Sequence, residues 1–229
     1  MSSPEIPDIV IRRLPIYLRT LRRMQDMGME SVSSEDLGAH IGVTAAQIRR
    51  DFSYFGRFGK QGKGYDIAIL ADGIQHVLKL DHCWDVALVG FGQLGRAIAH
   101  YRGFESNSFR ISAIFARNPN HIGDQVNGVV VMDEAVMHEV IPELGIRIGI
   151  VAVPADNSQN VADRLVDSGV QAILNYAPAI IRVPSHVRVR EIDPTSALQS
   201  LSFYLNSDGQ PPDSVFDTSM LPGMTEPRG

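Results

Sequence analysis

Gly90-Phe91-Gly92-Gln93-Leu94-Gly95 follows directly on the apolar run Asp85-Val86-Ala87-Leu88-Val89 and opens a segment where Leu94, Ala97, Ile98 and Tyr101 recur at helical spacing. No other stretch restricts the fold as much. A GxGxxG pattern alone is weak evidence, but between a buried strand and a helix each glycine has a physical reason. Gly90 permits the tight turn. Gly92 lets a pyrophosphate approach the backbone, and Gly95 lets helix and strand pack closely. The helix start presents unpaired N–H groups to the phosphates. Downstream, apolar runs at 109–115, 129–132, 147–153, 172–174 and 187–192 alternate with helical spacing at 133–140 and 158–166. Such alternation predicts an α/β fold with a doubly wound, Rossmann-like parallel sheet. A Rossmann-type domain that has lost its ligand is the alternative.

The end of the second strand should select the cofactor. An acid about 20 residues after the glycines binds the ribose 2′-hydroxyl of NAD. This chain has Ala116-Arg117-Asn118 there. An arginine without an acid leans toward a 2′-phosphate; alternatively Arg117 stacks on adenine and Asn118 meets the ribose. A dehydrogenase also needs a proton donor beside the nicotinamide. The histidines after the glycines are His100, His121, His138 and His186, none at the end of a later strand. Those ends carry Val153-Pro154 and Asn175-Tyr176-Ala177-Pro178, groups fit for binding. No substrate domain remains. The expectation is a dinucleotide sensor that is not an enzyme.

Composition narrows the remaining classes. With 44% hydrophobic and 21% charged residues, the 229-residue chain is globular and of one or two domains. The single cysteine, Cys83, excludes an intramolecular disulfide and a multi-cysteine zinc site, and no metal is expected. No apolar run suits a membrane helix, and the first eleven residues do not form a secretory signal, so a cytoplasmic location is expected. The net charge of -5 conceals an asymmetry. Residues 1–65 hold ten Lys/Arg against seven acids, while the rest hold eleven against nineteen. A basic front on an acidic body suggests a nucleic-acid partner.

The basic part reads as helical. Ile9, Val10, Leu14, Leu18, Leu21 and Met24 form one stripe over 7–27, with Pro15 expected to kink the helix or mark a start and Gly28 to end it. Ser33 with Asp36, and Thr44 with Gln47, read as capping boxes of two further helices separated by Gly42 and Val43. The second of these, 45–54, should bury Ile48 and Phe52 and expose Gln47, Arg49, Arg50 and Ser53. Two short helices around a glycine turn, the second basic, form a helix-turn-helix signature; an ordinary helical hairpin is the alternative. Residues 56–65, with four glycines and the cations Arg57, Lys60 and Lys63, suit a basic wing beside it. A helix at 67–80 connects to the first strand.

These motifs together resemble the Rex family of bacterial redox-sensing transcriptional repressors. The resemblance runs from about residue 6 to residue 206. It is carried by Arg12 to Arg19, Gly42 to Asp51, Ser53 to Gly56, Gly64 to Asp66, Gly90 to Arg96, Val153-Pro154, Ile173 to Pro178 and Leu198 to Leu205. It implies a winged helix-turn-helix domain with connecting helix at 1–80 and a Rossmann-like NAD(H)-binding domain at 81–193. A C-terminal helix at 194–206 would be swapped between the protomers of a homodimer. Residues 207–229 read as a disordered tail. The resemblance implies operator double-stranded DNA as partner and NADH or NAD+ as a regulatory ligand that is not turned over, NADH releasing the DNA. It places Gly90, Phe91, Gly92, Gln93, Leu94, Gly95 and Arg96 at the pyrophosphate. Val153, Pro154, Asn175, Ala177 and Pro178 would line the nicotinamide end, with Tyr65 shielding the ring. Arg117 and Asn118 fall at the adenosine end. Gln47, Arg49, Arg50, Ser53, Tyr54, Arg57, Lys60 and Lys63 fall at the DNA, and Arg19, Tyr101 and Asp193 form a switch. Members usually carry acids where this chain has Ala116-Arg117-Asn118. The competing readings are an NADP-dependent oxidoreductase and a non-catalytic dinucleotide-binding scaffold.

Overall fold

A computed structural model describes residues 6–55, the backbone of 59–60, 64–203 and 205. Arg57 and Lys63, the side chain of Lys60 and the tail from residue 206 onward lie outside the described residues. The chain divides into two compact units, Met1–Val86 with His100–Ser112, and Ala87–Ala99 with Ala113–Gly229.

In the first unit, α1 (Asp8–Asp26) buries Val10, Leu14, Tyr17, Leu18, Leu21 and Met24, residues three and four apart that make one stripe. Pro15 sits on the exposed side inside this helix, which continues through it rather than starting there; the cost is one intrahelical bond. After β1 (Ser31–Val32), Ser33 caps α2 (Ser34–Ile41) and Thr44 caps α3 (Ala45–Ser53), each side chain accepting the N–H three residues on. Gly42 turns the chain between them at φ 74°, and the N–H groups of Gly42 and Val43 both donate to the Gly38 carbonyl. A Cβ at Gly38 would stand 2.5 Å from the Val43 carbonyl oxygen, so this helix pair closes only over glycine. The strands β2 (Gly59–Lys60) and β3 (Gly64–Asp66) pair antiparallel, and β3 also pairs β1, giving a three-stranded sheet in the order β1-β3-β2. Hairpin β2-β3 is the expected wing; β1 had no signature in the sequence. Asp66 caps α4 (Ile67–Val77), which supplies Ile67, Leu70, Ala71 and Ile74 to a core shared with α1, α2 and α3.

The second element series is β4 (Trp84–Val89), α5 (Gln93–Ala99), β5 (Phe109–Ala116), β6 (Gln125–Val126), β7 (Val129–Asp133), α6 (Met137–Glu143), β8 (Ile148–Val151), α7 (Ala155–Asp167), β9 (Ala172–Asn175), β10 (Arg188–Glu191) and α8 (Pro194–Ser202). The sheet order is β10-β9-β8-β4-β5-β7-β6. Pairs β10-β9, β9-β8 and β5-β7 are parallel, and β6 adds an antiparallel edge of two residues. With β6 set aside, this is the doubly wound dinucleotide-binding order, whose direction reverses between β4 and β8. The predicted fold class is therefore observed: a Rossmann-like sheet following a winged helix-turn-helix. Phe115, Met137, Ile141, Val151, Val161, Leu165 and Ile173 lie in its core. By contrast α8 buries none of its residues, and Leu198, Leu201, Phe203 and Leu205 are exposed. Among the described residues, no helix is long and apolar enough to cross a membrane.

Candidate functional site

The glycine loop separates its three glycines by role. Gly90 has φ 102°, a region that favours glycine, and a Cβ there would fall 2.7 Å from the Ala152 carbonyl carbon. A Cβ at Gly95 would run into the Gly90 carbonyl. At Gly92 a Cβ meets nothing within 4 Å. Two glycines thus close the fold and the third keeps space open outside it, where a ligand backbone can approach. The loop is fixed on both sides: Gly90 N–H donates to the Phe115 carbonyl at 2.9 Å, and Ala152 N–H to the Val89 carbonyl at 2.8 Å. Phe91 is buried, while Gln93, Leu94 and Arg96 are exposed.

Beside the loop, the Arg96 guanidinium stands 5.2 Å over the Phe91 ring, lies 2.9 Å from His121 Nδ1 and 3.8 Å from an Asp124 oxygen. The sequence weighed His121 only as a proton donor and gave no sign of Asp124, because the turn that brings them to Arg96 has no periodic signal. At the end of β5, Arg117 is exposed, and the Asn118 side chain accepts from the Asn120 N–H at 3.1 Å.

At the other end of the crevice, Val153 is half-buried and Pro154 exposed at the start of α7. Asn175 is buried at the end of β9. Its amide donates to the Ala179 carbonyl at 2.8 Å and accepts from the Ala177 N–H at 3.0 Å. One side chain therefore shapes the turn that presents Ala177 and Pro178. A cavity of about 160 Å³ opens between this turn and residues 191–193.

In the first unit, Asp51 is fully buried. Arg13 grips it with Nε at 2.6 Å and Nη2 at 2.7 Å, the Tyr17 hydroxyl donates at 2.5 Å and Gln47 Nε2 at 2.7 Å. Burial pushes the Asp51 carboxyl up, but bonds from Arg13, Tyr17 and Gln47 outweigh it, and the group lies below its usual range. The Tyr17 phenol is pushed well up, by burial first and by Asp51 next. This cluster locks α3 onto α1. It also changes one expectation for the helix surface: Gln47 is not exposed. Gln47 is half-buried and spends its amide on Asp51, and Arg49 is exposed but reaches back to Ser34 at 2.7 Å and Glu35 at 3.0 Å. Arg50 is exposed and makes no side-chain bond among the described residues; Ser53 is exposed, its hydroxyl on the Arg50 carbonyl at 2.7 Å, and Tyr54 is half-buried. Tyr65 packs edge-on against Phe52 at 5.3 Å, and burial raises its phenol. Arg19 is exposed on α1, Tyr101 is exposed with its ring edge-on to Phe104, and Asp193 caps α8 by accepting from the Thr195 N–H at 2.9 Å.

Comparison with known proteins supplies a second line. Residues 5–53 match a family model described as a putative DNA-binding protein N-terminus, and residues 81–179 match a CoA binding domain. The redox-sensing transcriptional repressor Rex of Chloroflexus aurantiacus is 52% identical over 199 residues, 87% of this chain and 94% of that protein. That of Streptomyces coelicolor is 42% identical over 202 residues, 88% of this chain and 78% of that protein. Among solved structures, RSP in complex with NAD+ and operator DNA is similar with a TM-score of 0.84 at 39% identity, covering 88% of this chain and 93% of its own. RSP in complex with NADH gives 0.81 at 37% identity, covering 88% and 94%.

Proposed function

The chain belongs to the Rex family of redox-sensing transcriptional repressors, and from that premise we propose how its two units share the work. It is a DNA-binding repressor whose regulatory ligands are NADH and NAD+. The observation that carries the assignment of roles is the contrast between Gly92, where a Cβ would meet nothing, and Arg50, exposed and without a side-chain bond among the described residues on a helix that Asp51 ties to α1.

In this reading the pyrophosphate lies over Gly90–Arg96, and the nicotinamide enters between Val153-Pro154 and the Asn175–Pro178 turn, with Tyr65 as its shield. Apolar walls explain a preference for the reduced ring. Oxidised nicotinamide carries a positive charge, and desolvating it against the apolar atoms of Val153, Ala177 and Pro178 costs free energy that the neutral reduced ring does not incur. Arg50, Ser53 and Tyr54 would meet the major groove, and Arg49 could do so only by leaving Glu35 and Ser34. Arg57, Lys60 and Lys63 supply phosphate contacts. NADH acts by binding the DNA-free arrangement more tightly, since a ligand shifts an equilibrium only by its differential affinity. The dinucleotide is a signal rather than a substrate. Two chains pair through α8 and the residues just beyond it, where Leu198, Leu201 and Leu205 are exposed among the described residues, and Arg19, Tyr101 and Asp193 exchange partners between states.

The test is a fluorescence-anisotropy titration of a palindromic duplex, selected from a random pool by the full chain, at fixed salt. NADH should release the duplex at far lower concentration than NAD+. No selectable duplex, or steady consumption of NADH with a carbonyl substrate, would overturn the reading.

A further inference from the structure

We propose that the adenosine end of the dinucleotide site takes a phosphate monoester on the ribose, so that NADPH and NADP+ enter the same site as NADH. The proposal rests on the dinucleotide-site reading above and concerns what recognises the ribose.

The backbone fixes the place. The Gly90 N–H bond to the Phe115 carbonyl, at 2.9 Å, makes the glycine loop and the chain leaving β5 depart side by side from neighbouring strands. A ligand whose pyrophosphate covers that loop puts its adenosine ribose against the first residues beyond β5. Discrimination for an unphosphorylated ribose requires a carboxylate there, which bonds the hydroxyls and repels a phosphate. Ala116, the last residue of the strand, is 2% exposed and has nothing to offer. Arg117 follows, exposed, with no hydrogen bond or ion pair among the described residues. Asn118 has turned its amide oxygen to the Asn120 N–H.

The neighbouring carboxylates are engaged elsewhere. Asp133, the register partner of Ala116 on β7, accepts from the Ala135 N–H at 2.8 Å. Asp124 lies 3.8 Å from the Arg96 guanidinium and 3.6 Å from His121. Arg96 itself is held over Phe91 on the glycine-loop side. The strand end thus presents a guanidinium whose planar fork matches a phosphate, and Ala116-Arg117-Asn118 itself brings no carboxylate to oppose it. An adenosine ribose phosphate also occurs in coenzyme A, at the 3′ position; with a nicotinamide dinucleotide as the ligand, the 2′-phosphate is the assigned occupant.

The full-length protein is titrated with NADPH and with NADH, reading the fluorescence of the reduced nicotinamide. In the unaltered protein NADPH should bind within about tenfold of NADH. Arg117→Ala should lower the NADPH-to-NADH affinity ratio by about tenfold or more, the worth of one charge-assisted hydrogen bond, and Arg117→Asp should lower it further. Adenosine 2′,5′-bisphosphate should displace either ligand better than AMP does. A ratio unmoved by Arg117→Ala, or NADPH binding about a hundredfold weaker than NADH in the unaltered protein, would overturn the proposal. Coenzyme A competing where NADPH does not would overturn it in favour of a 3′-phosphate. If NADH itself fails to bind, the dinucleotide site is wrong and the phosphate subsite with it, an outcome distinct from tight NADH binding with NADPH excluded.

Discussion

Replacing Asp51 by alanine should unfold the DNA-binding unit while sparing the other. Asp51 takes four hydrogen bonds, two from Arg13 and one each from Tyr17 and Gln47, and has no solvent exposure. The alanine leaves a guanidinium that is only 19% exposed without its counter-charge, and a buried phenol without an acceptor. Removing one partner of a buried, hydrogen-bonded pair costs about 3–5 kcal/mol. That approaches the lower end of the stability of a unit of this size, ~5–15 kcal/mol at ~0.05–0.15 per residue. Urea unfolding followed by circular dichroism should show the early transition moved to low denaturant, with operator binding lost and NADH binding kept. The sign of the pH effect follows from the same cluster. The folded-state carboxyl lies below its usual value, so its contribution is fully present above the unfolded-state value near ~4 and is lost as pH falls through the folded one. Replacing the polar set together, as Arg13→Met, Tyr17→Phe and Asp51→Leu, should recover much of the loss. A cost below about 1 kcal/mol for Asp51→Ala, the size of an exposed pair, would refute the reasoning.

The glycine loop gives a paired prediction: Gly90→Ala should destabilise the protein, whereas Gly92→Ala should leave its melting point in place and weaken NADH binding, because only the first Cβ meets protein; equal loss of stability in both would contradict this. Arg50→Ala should weaken operator binding by about 1–3 kcal/mol with NADH affinity retained, read by anisotropy and nicotinamide fluorescence. Leu201→Glu should shift sedimentation from dimer toward monomer, and an unshifted boundary would remove α8 from the interface. Gly38→Ala should lower the melting temperature of the first unit by separating α2 from α3, and an unchanged melt would mean the Val43 carbonyl yields at little cost.

What was legible in the sequence had a short period or a fixed spacing. The glycines, the alternation of apolar runs with helical stripes, and the caps at Ser33 and Thr44 each rest on residues within a few positions of one another. Asp51 does not: its partners lie 34 and 38 residues upstream, as well as four residues away at Gln47. A signal existed. Asp51 stands three residues from Ile48 and beside Phe52, an acid on an apolar face, while Arg13 and Tyr17 occupy one turn of the facing stripe. Reading Gln47 as exposed overlooked that claim on its amide. The strands β1 and β6 have two residues each, too few for any alternation to show. Tyr65 could be tied to the wing by sequence, but not to the aromatic packing against Phe52.

The buried amide of Asn175 shapes the turn at the nicotinamide end, and its carbonyl accepts from the Ile192 N–H at 2.8 Å, one residue before Asp193 opens α8. This backbone bond continues the β9–β10 pairing and ties the turn to the root of the terminal helix. A nine-residue helix is ~13 Å long, so a rotation of about 10° at its root sweeps the far end by about 2 Å. On that geometry the helix would be a lever arm, magnifying at its exposed leucines a displacement that is small at the turn itself.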